Sequence, residues 1–289
     1  MPSMKAIKQR RASVTNMQQA MRAMNLVATA KLQRARTDWQ QIRTFVNSAD
    51  TAMLNAAMDT RMAEHLYVQG NTAARDTLYL VITSDRGKCG GYNQNAAKTA
   101  ITHATTHGKN GKFLIVGLKG LEYFIARGLA AQYEPAPKSQ PSYTDAQALA
   151  RRVMEMYDPR GIEREINEVY IVYTKFTSIL ATEPMVMQVL PLSARLSDRG
   201  HKMDKSMVYD PNPHFFIDRM IPTYLAALIY GAMMESVVCE HAARMLNMDA
   251  ATNNAQEIIE DLTLMFNRQR QGAITQEITE IVSGANALQ

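Results

Sequence analysis

Residues 223–289 read TYLAALIYGAMMESVVCEHAARMLNMDAATNNAQEIIEDLTLMFNRQRQGAITQEITEIVSGANALQ. The stretch has no proline, and its only glycines are Gly231, Gly272 and Gly284. Leu225, Leu228, Ile229, Met233, Val237, Val238, Met245 and Leu246 recur at helical spacing, followed by Ile258, Ile259, Leu262, Met265 and Phe266. Ile274, Ile278, Ile281, Ala285 and Leu288 continue the stripe in steps of four, three, four and three. A helix of this length spans about 100 Å at 1.5 Å per residue. A domain is roughly 30 to 40 Å across, so most of the helix is expected to project and to need a partner along its length.

The partner is expected at the other end of the chain. Ser3 to about Arg61 has neither glycine nor proline, and Ser3 is placed to cap a helix there. Every seventh residue from Ile7 is apolar: Ile7, Val14, Met21, Ala28, Ala35, Ile42, Ala49 and Ala56. The positions between read Met4, Met17 and Met24, then shift by one to Leu32, Trp39, Val46 and Met53, which predicts a coiled coil with a stutter. Two long helices at the two ends bury each other's stripes most economically as an antiparallel pair.

Between them the period changes. Gly70-Asn71 breaks the first helix. LYLVIT (Leu78–Thr83), KFLIV (Lys112–Val116), EVYIVYTKF (Glu168–Phe176) and MVMQVLP (Met185–Pro191) read as strands, the last alternating as an edge strand does. Helical stretches near Asn93–His107, Leu118–Arg127 and Thr144–Tyr157 separate them, with Thr144 as a cap, and residues 193–212 read as a polar loop. The fold class is α/β plus a long antiparallel α-helical coiled coil: the terminal helices form a shaft around a small doubly wound domain. The divisions are 1–69 for the first helix, 70–210 for the α/β domain and 211–289 for the second helix. Pro213 and Pro222 are both candidates for that helix's first turn.

Composition narrows the function. Twenty methionines against seven phenylalanines and one tryptophan suit either an adaptable contact surface or simple helix packing. The formal charge of +5 is uneven, with Lys5, Lys8, Arg10, Arg11, Arg22, Lys31, Arg34, Arg36 and Arg43 set against Asp38 alone in residues 1–43. That excess fits an acidic partner, nucleic acid or anionic lipid, or the solvated face of a helix. Cys89 and Cys239 lie far apart, as in a reducing compartment. No run approaches the roughly 18 apolar residues that cross a bilayer, and no secretory signal is apparent, so a soluble intracellular chain is expected.

Chemistry is sparse. The loop Ser84-Asp85-Arg86-Gly87-Lys88-Cys89-Gly90-Gly91 follows the first strand, where a glycine-rich turn can cradle phosphate. It matches neither GxGxxG nor GxxxxGK[ST], and a tight strand–helix connection is favoured. Cys89 reads as a packed thiol. His103 and His107 have i, i+4 spacing without further ligands. No catalytic, cofactor or metal residues are assigned. Near the other end, Asn267-Arg268-Gln269-Arg270-Gln271 forms a polar collar, and Ala273–Gln289 beyond it carries only Glu277 and Glu280 as charges.

Four stretches then align with one family. ITQEITEIVSGANAL (Ile274–Leu288) resembles the C-terminal motif of the gamma subunits of F-type ATP synthases. SDRGKCGGYN (Ser84–Asn93) resembles that family's loop after the first strand, with Lys88 and Tyr92 where leucine and phenylalanine are expected. MKAIKQRRASV and MNLVATAKLQRAR in the first helix are also similar. The resemblance implies a non-catalytic rotor shaft, one copy per complex, coupling ion flow through a membrane ring of c subunits to ATP synthesis or hydrolysis on beta subunits. The implied partners are the alpha and beta ring, the epsilon subunit and the c-ring, with no nucleic acid. The implied place is the cytoplasmic face of a bacterial membrane, peripherally bound. Ring contacts carry over to Met24, Arg270, Gln271, Ile274, Thr275, Gln276, Glu277, Ile278, Ile281, Val282 and Leu288. A structural loop carries over to Asp85, Arg86, Gly87, Cys89, Gly90 and Gly91. No cysteine pair stands in a middle insertion, so a redox switch is not implied. The alternatives are a nucleotide-binding α/β enzyme with coiled-coil arms and a basic coiled-coil nucleic-acid binder.

Overall fold

A computed structural model describes residues 3–62, 64–70, 74, 76–108, 110–138, 140–157, 166–199, 209–210 and 212–287. Two long helices, α1 (Met4–Ala57) and α7 (Pro213–Ala287), contribute to both of two compact units. One unit comprises Met1–Thr29 with Arg244–Gln289, the other Ala30–Ala243.

In the first unit α1 and α7 pair antiparallel. Asn25 Nδ2 donates to the Met245 carbonyl at 3.0 Å. One heptad earlier, Gln18 Nε2 donates to Gln256 Oε1 at 2.9 Å and lies 3.4 Å from the Thr252 carbonyl. One heptad earlier again, the Arg11 guanidinium sits 5.7 Å from the centre of the Phe266 ring. The partners fall along α7 as the α1 positions rise. Ile7, Val14, Met21 and Ala28 line the same seam, none of them exposed, so the seven-residue series predicts the buried face correctly.

The expected stutter is absent. Met4 and Met17 are exposed, and the second seam series is Arg11, Gln18 and Asn25. These continue in unbroken steps of seven to Leu32, Trp39, Val46 and Met53, which lie in the other unit and are likewise covered. A search for apolar residues passes over polar ones that have interhelical partners. Such positions fix register while lowering stability.

In the second unit a five-stranded sheet has the order β3-β2-β1-β4-β5. Its strands are β1 (Asp76–Ile82), β2 (Asn110–Val116), β3 (Gln132–Glu134), β4 (Ile166–Phe176) and β5 (Thr182–Leu190). β1 pairs parallel with β2 and β4, β2 with β3, and β5 closes one edge antiparallel to β4. Alternation along β1 feeds two cores. Tyr79 and Val81 pack with Ala97 and Ala100 of α3 (Tyr92–His107) and Phe124 of α4 (Leu118–Ile125). Leu78, Leu80 and Ile82 pack with Leu149 and Val153 of α5 (Tyr143–Tyr157), and with Tyr224, Leu225 and Leu228 of α7. A strand covered on both faces needs a near-continuous apolar run, which is why LYLVIT stands out. α1 and α7 approach closely at Gly231, where a Cβ would come within 3.0 Å of Val46.

Several local expectations need correction. α1 stops at Ala57, because the Asp59 carboxylate accepts the Arg61 backbone N–H and guanidinium in place of continued helix. The tetrapeptide helix α2 (Leu66–Gln69) follows. Ser142, not Thr144, caps α5: its hydroxyl accepts the Asp145 N–H while Asp145 accepts the Ser142 N–H. Leu192–Arg199, expected as loop, is helix α6. α7 begins at Pro213 behind Asn212, whose side chain accepts the Phe215 N–H, and Pro222 lies inside the helix on its exposed side. α7 also contains an 18-residue window apolar enough to cross a membrane by composition, against the expectation above. Two thirds of that window is buried within the chain, as in a core helix.

α6 is fastened to both long helices. Arg195 donates to both Asp50 carboxylate oxygens at 2.7 and 2.9 Å and to the Gln188 carbonyl, and the Tyr224 hydroxyl donates to Asp50. Asp50 and Arg195 are 2% and 5% exposed, so neither ion has water to fall back on. Asp50→Ala is therefore expected to destabilise the chain by about 3–5 kcal/mol, read from its chemical-denaturation midpoint. The polar seam predicts the opposite sign. Gln18→Leu with Asn25→Leu should raise stability by roughly 1 kcal/mol, seen as a higher midpoint at unchanged slope.

Candidate functional surfaces

The strand order reverses between β1 and β4, so a ligand crevice in this architecture would open beyond the carboxyl ends of those strands. The loop Ser84–Gly91 lies there, tied by hydrogen bonds to α3 and α4. The Ser84 N–H and hydroxyl both donate to Asn93 Oδ1, at 2.8 and 3.1 Å. Asn93 Nδ2 reaches the Arg86 carbonyl and Cys89 Sγ, and the Tyr92 N–H donates to the Cys89 carbonyl. Asp85 accepts the Leu118 N–H at 2.8 Å, capping α4, whose Lys119 and Gly120 amides donate to the Ser84 carbonyl and Thr83 hydroxyl. Left-handed backbone falls at Lys88 (φ 64°) and Gly90 (φ 56°). A Cβ at Gly87 would meet nothing, so that glycine is not sterically required. These bonds make the loop a tight connection from β1 to α3 and α4.

Behind the loop, Cys89, Tyr92 and Cys239 form one buried cluster, with Phe176 and Ala243 against it. Cys239 Sγ donates to the Thr174 carbonyl, and burial pushes its thiol far up, aided by nearby Glu235. Thiols held neutral like this do not act as nucleophiles. The Glu235 carboxyl is itself raised by burial while accepting the Phe176 N–H at 3.0 Å. His103 and His107 stack at 4.7 Å. Tyr79 OH lies 2.9 Å from His103 Nδ1, and Tyr170 OH lies 3.3 Å from His107 Nε2. Burial, then the neighbouring His107, holds His103 below the usual imidazole range. No group of three His, Cys, Asp or Glu side chains among the described residues is arranged to hold a metal.

The collar and tip of α7 differ from all of this. Arg270 and Gln271 are exposed, and the Gln271 carbonyl accepts the Thr275 hydroxyl. The Thr275 carbonyl accepts the Thr279 hydroxyl, and Gln276 donates to Glu280. Ile274, Ile278, Ile281 and Val282 are 48%, 56%, 71% and 53% exposed, and Glu277 is exposed among them. The four apolar side chains fall within about 100° of the helix circumference. Arg11 reaches Phe266, and α1 begins only seven residues before Arg11, so it runs out near Ala273. Among the described residues no helix covers the stripe from Ile274 onward. Leu288 lies outside the described residues.

Met24 is half-buried on α1, next to the Asn25–Met245 bond. That places it about 37 Å along the helix from the collar, so these two sites are not brought together. Leu26 and Val27 beside Met24 are 71% and 56% exposed, an apolar pair missing from the sequence reading. Their signal is that they are apolar and out of phase with the seven-residue repeat.

The protein-family model described as ATP synthase matches residues 3–288. The chain is 36% identical to an ATP synthase gamma chain of Alkaliphilus metalliredigens, across 99% of this chain and 98% of the relative. It is also 36% identical to the ATP synthase gamma chain of Staphylococcus aureus, over the full length of both. Among solved structures, it resembles a chain of the Euglena gracilis mitochondrial ATP synthase assembly of OSCP, F1 and c-ring. That match has a TM-score of 0.70 at 15% identity over 99% of this chain and 94% of that one. A chain of the Tetrahymena thermophila mitochondrial ATP synthase central stalk and c-ring matches with a TM-score of 0.61. Its identity is 22%, over 80% of this chain and 99% of that one. At those identities the structures speak for the fold alone, whereas the full-length relatives speak for descent: the chain belongs to the ATP synthase gamma-chain family.

Proposed function

We propose that the chain is the central rotor shaft of an F-type ATP synthase and that the collar and tip of α7 are where it meets the catalytic ring. The observation that carries the reading is the apolar stripe from Ile274 to Val282, which outruns its partner helix directly beyond exposed Arg270 and Gln271. An apolar surface with few charges fits an apolar sleeve and permits sliding, because no ion pair has to break as it turns. A guanidinium beside it supplies the opposite property: charge-assisted, directional hydrogen bonds to a carboxylate.

The shaft itself does no bond chemistry. Its work is differential contact. A collar bond that forms at some angles and not others biases the conformation of the subunit it touches, and linkage requires that subunit's nucleotide state to bias the angle in return. Met24, with Leu26 and Val27 exposed beside it, provides a second contact on α1. The Asp85–Gly91 loop is structural: Asp85 ties β1 to α4, and Cys89 packs in the buried thiol cluster. The assembly implied is the alpha and beta ring, an epsilon subunit and a c-ring, with the chain held peripherally on the cytoplasmic face of a bacterial membrane.

Arg270→Ala with Gln271→Ala is expected to lower ATP hydrolysis by the reassembled complex. The lost bond is worth about 1.5–3 kcal/mol at the angle where it forms. The isolated variant should keep its circular dichroism, because both side chains are exposed. Unchanged hydrolysis in a fully assembled complex would rule the collar out as a catch. A second test concerns the thiols. Cys89→Ala with Cys239→Ala should leave hydrolysis per assembled complex unchanged, with only a small loss of thermal stability from the two vacated sulfur volumes. Loss of turnover at full assembly would mean that a thiol does chemistry here.

A further inference from the structure

His65 is a buried titratable group with no part in the contacts above. It is 7% exposed and caps α2: its Nδ1 accepts the Tyr67 N–H at 3.3 Å. An amide N–H can only donate, so Nδ1 carries no proton in this arrangement, and the neutral ring holds its proton on Nε2. That nitrogen lies 3.4 Å from Asp218 Oδ1, in the second turn of α7. The ring also stacks on Tyr67 and lies 5.3 Å from the His214 ring. One imidazole thus joins α2 to the start of α7, using both nitrogens and a single tautomer.

We propose that His65 is a proton-operated joint: protonation at Nδ1 breaks the α2 cap and frees α2 from its anchored geometry, while the contact with Asp218 persists. The step takes one proton from solvent onto Nδ1, and the Tyr67 N–H loses its acceptor. Two donors then point at each other where one hydrogen bond stood.

The charged and titratable groups around the ring come from several elements. Asp218 favours the proton, and His214 opposes it when charged. Asp59 lies near His214, and hydrogen bonds from Arg61 are the main reason its carboxyl falls to about 2. That carboxylate therefore stays charged throughout the range in which imidazole titrates, with Arg61 beside it. Tyr67 stacks on Tyr157 of α5, both neutral rings in the same range. The segment that is freed has a wall to move: Val68 and Gln69 of α2 line a cavity of about 510 Å³ with Met58, Asp59 and Leu196. The joint does not rest on the rotor function.

The test is amide hydrogen exchange of Tyr67 in the full-length chain between about pH 8 and 5, expressed as a protection factor so that intrinsic exchange chemistry cancels. In the wild type, protection should fall roughly fivefold through the range where imidazole takes up its proton. His65→Asn keeps a cap acceptor that cannot be protonated there, and its protection should stay flat. His214→Gln should still show the fall. His65→Ala should show low protection at every pH. Flat wild-type protection overturns the proposal, as does a fall that survives in His65→Asn or disappears in His214→Gln.

Discussion

A helix with an apolar stripe must cover it, and the two long helices of this chain are arranged by how far that requirement can be met internally. In the first unit the seam of α1 from Ile7 to Ala28 is covered by α7, with partners falling from Phe266 to Met245. In the second unit, Leu32, Met53 and Ala56 of α1 and Tyr224–Ile229, Ala232 and Met233 of α7 are buried. Near Ala273 α1 itself runs out. Beyond it Ile274, Ile278, Ile281 and Val282 form an exposed stripe, and Ile258, Leu264 and Met265 are already exposed before it. An exposed apolar stripe of this kind leaves a surface open to a partner from outside the chain.

The same requirement explains the α/β unit. Its strand order is one that elsewhere places ligands at the reversal between β1 and β4. Here Asn93 closes the loop onto Ser84 and Arg86, while Cys239 from α7 packs with Cys89 and Tyr92. The residues that would line a cofactor crevice instead fasten a helix to a sheet. Asp50 and Arg195 do the equivalent for α6, through a pair whose burial makes either half costly to lose. A part that transmits force benefits from such fixtures, because each resists relative movement of the elements it joins.

Much of this is legible in the sequence where a single periodicity dominates. The seven-residue series from Ile7 and the run LYLVIT identify the seam and the central strand because apolar burial leaves a repeating signature in one dimension. The features that escape the sequence share a cause. Arg11, Gln18 and Asn25 occupy seam positions through hydrogen bonds and ring contacts to residues more than two hundred positions away, which an apolar count cannot register. α6 looks like loop in one dimension because it buries only Leu192, Leu196 in part, and an arginine paired across the fold. β3 leaves no strand signal because Gln132–Glu134 contains no apolar run. The collar is visible in sequence as a polar cluster, but its exposure and the end of its cover at Ala273 emerge only from the pairing register.

That register also bears on what the polar seam is for. An all-apolar heptad pair of this length gains nearly the same energy from neighbouring registers, since one hydrophobic layer resembles the next. Asn25 and Gln18 remove that degeneracy. A shift by one turn would strand each amide against apolar side chains without its partner, leaving an unsatisfied polar group in each case. The specificity is strongest in the unit that also carries the collar and tip. If Arg270 is to meet a carboxylate on another subunit at a defined angle, its height along the helix has to be as well defined as its azimuth. Apolar packing alone would fix the face of the helix; the amides fix the height.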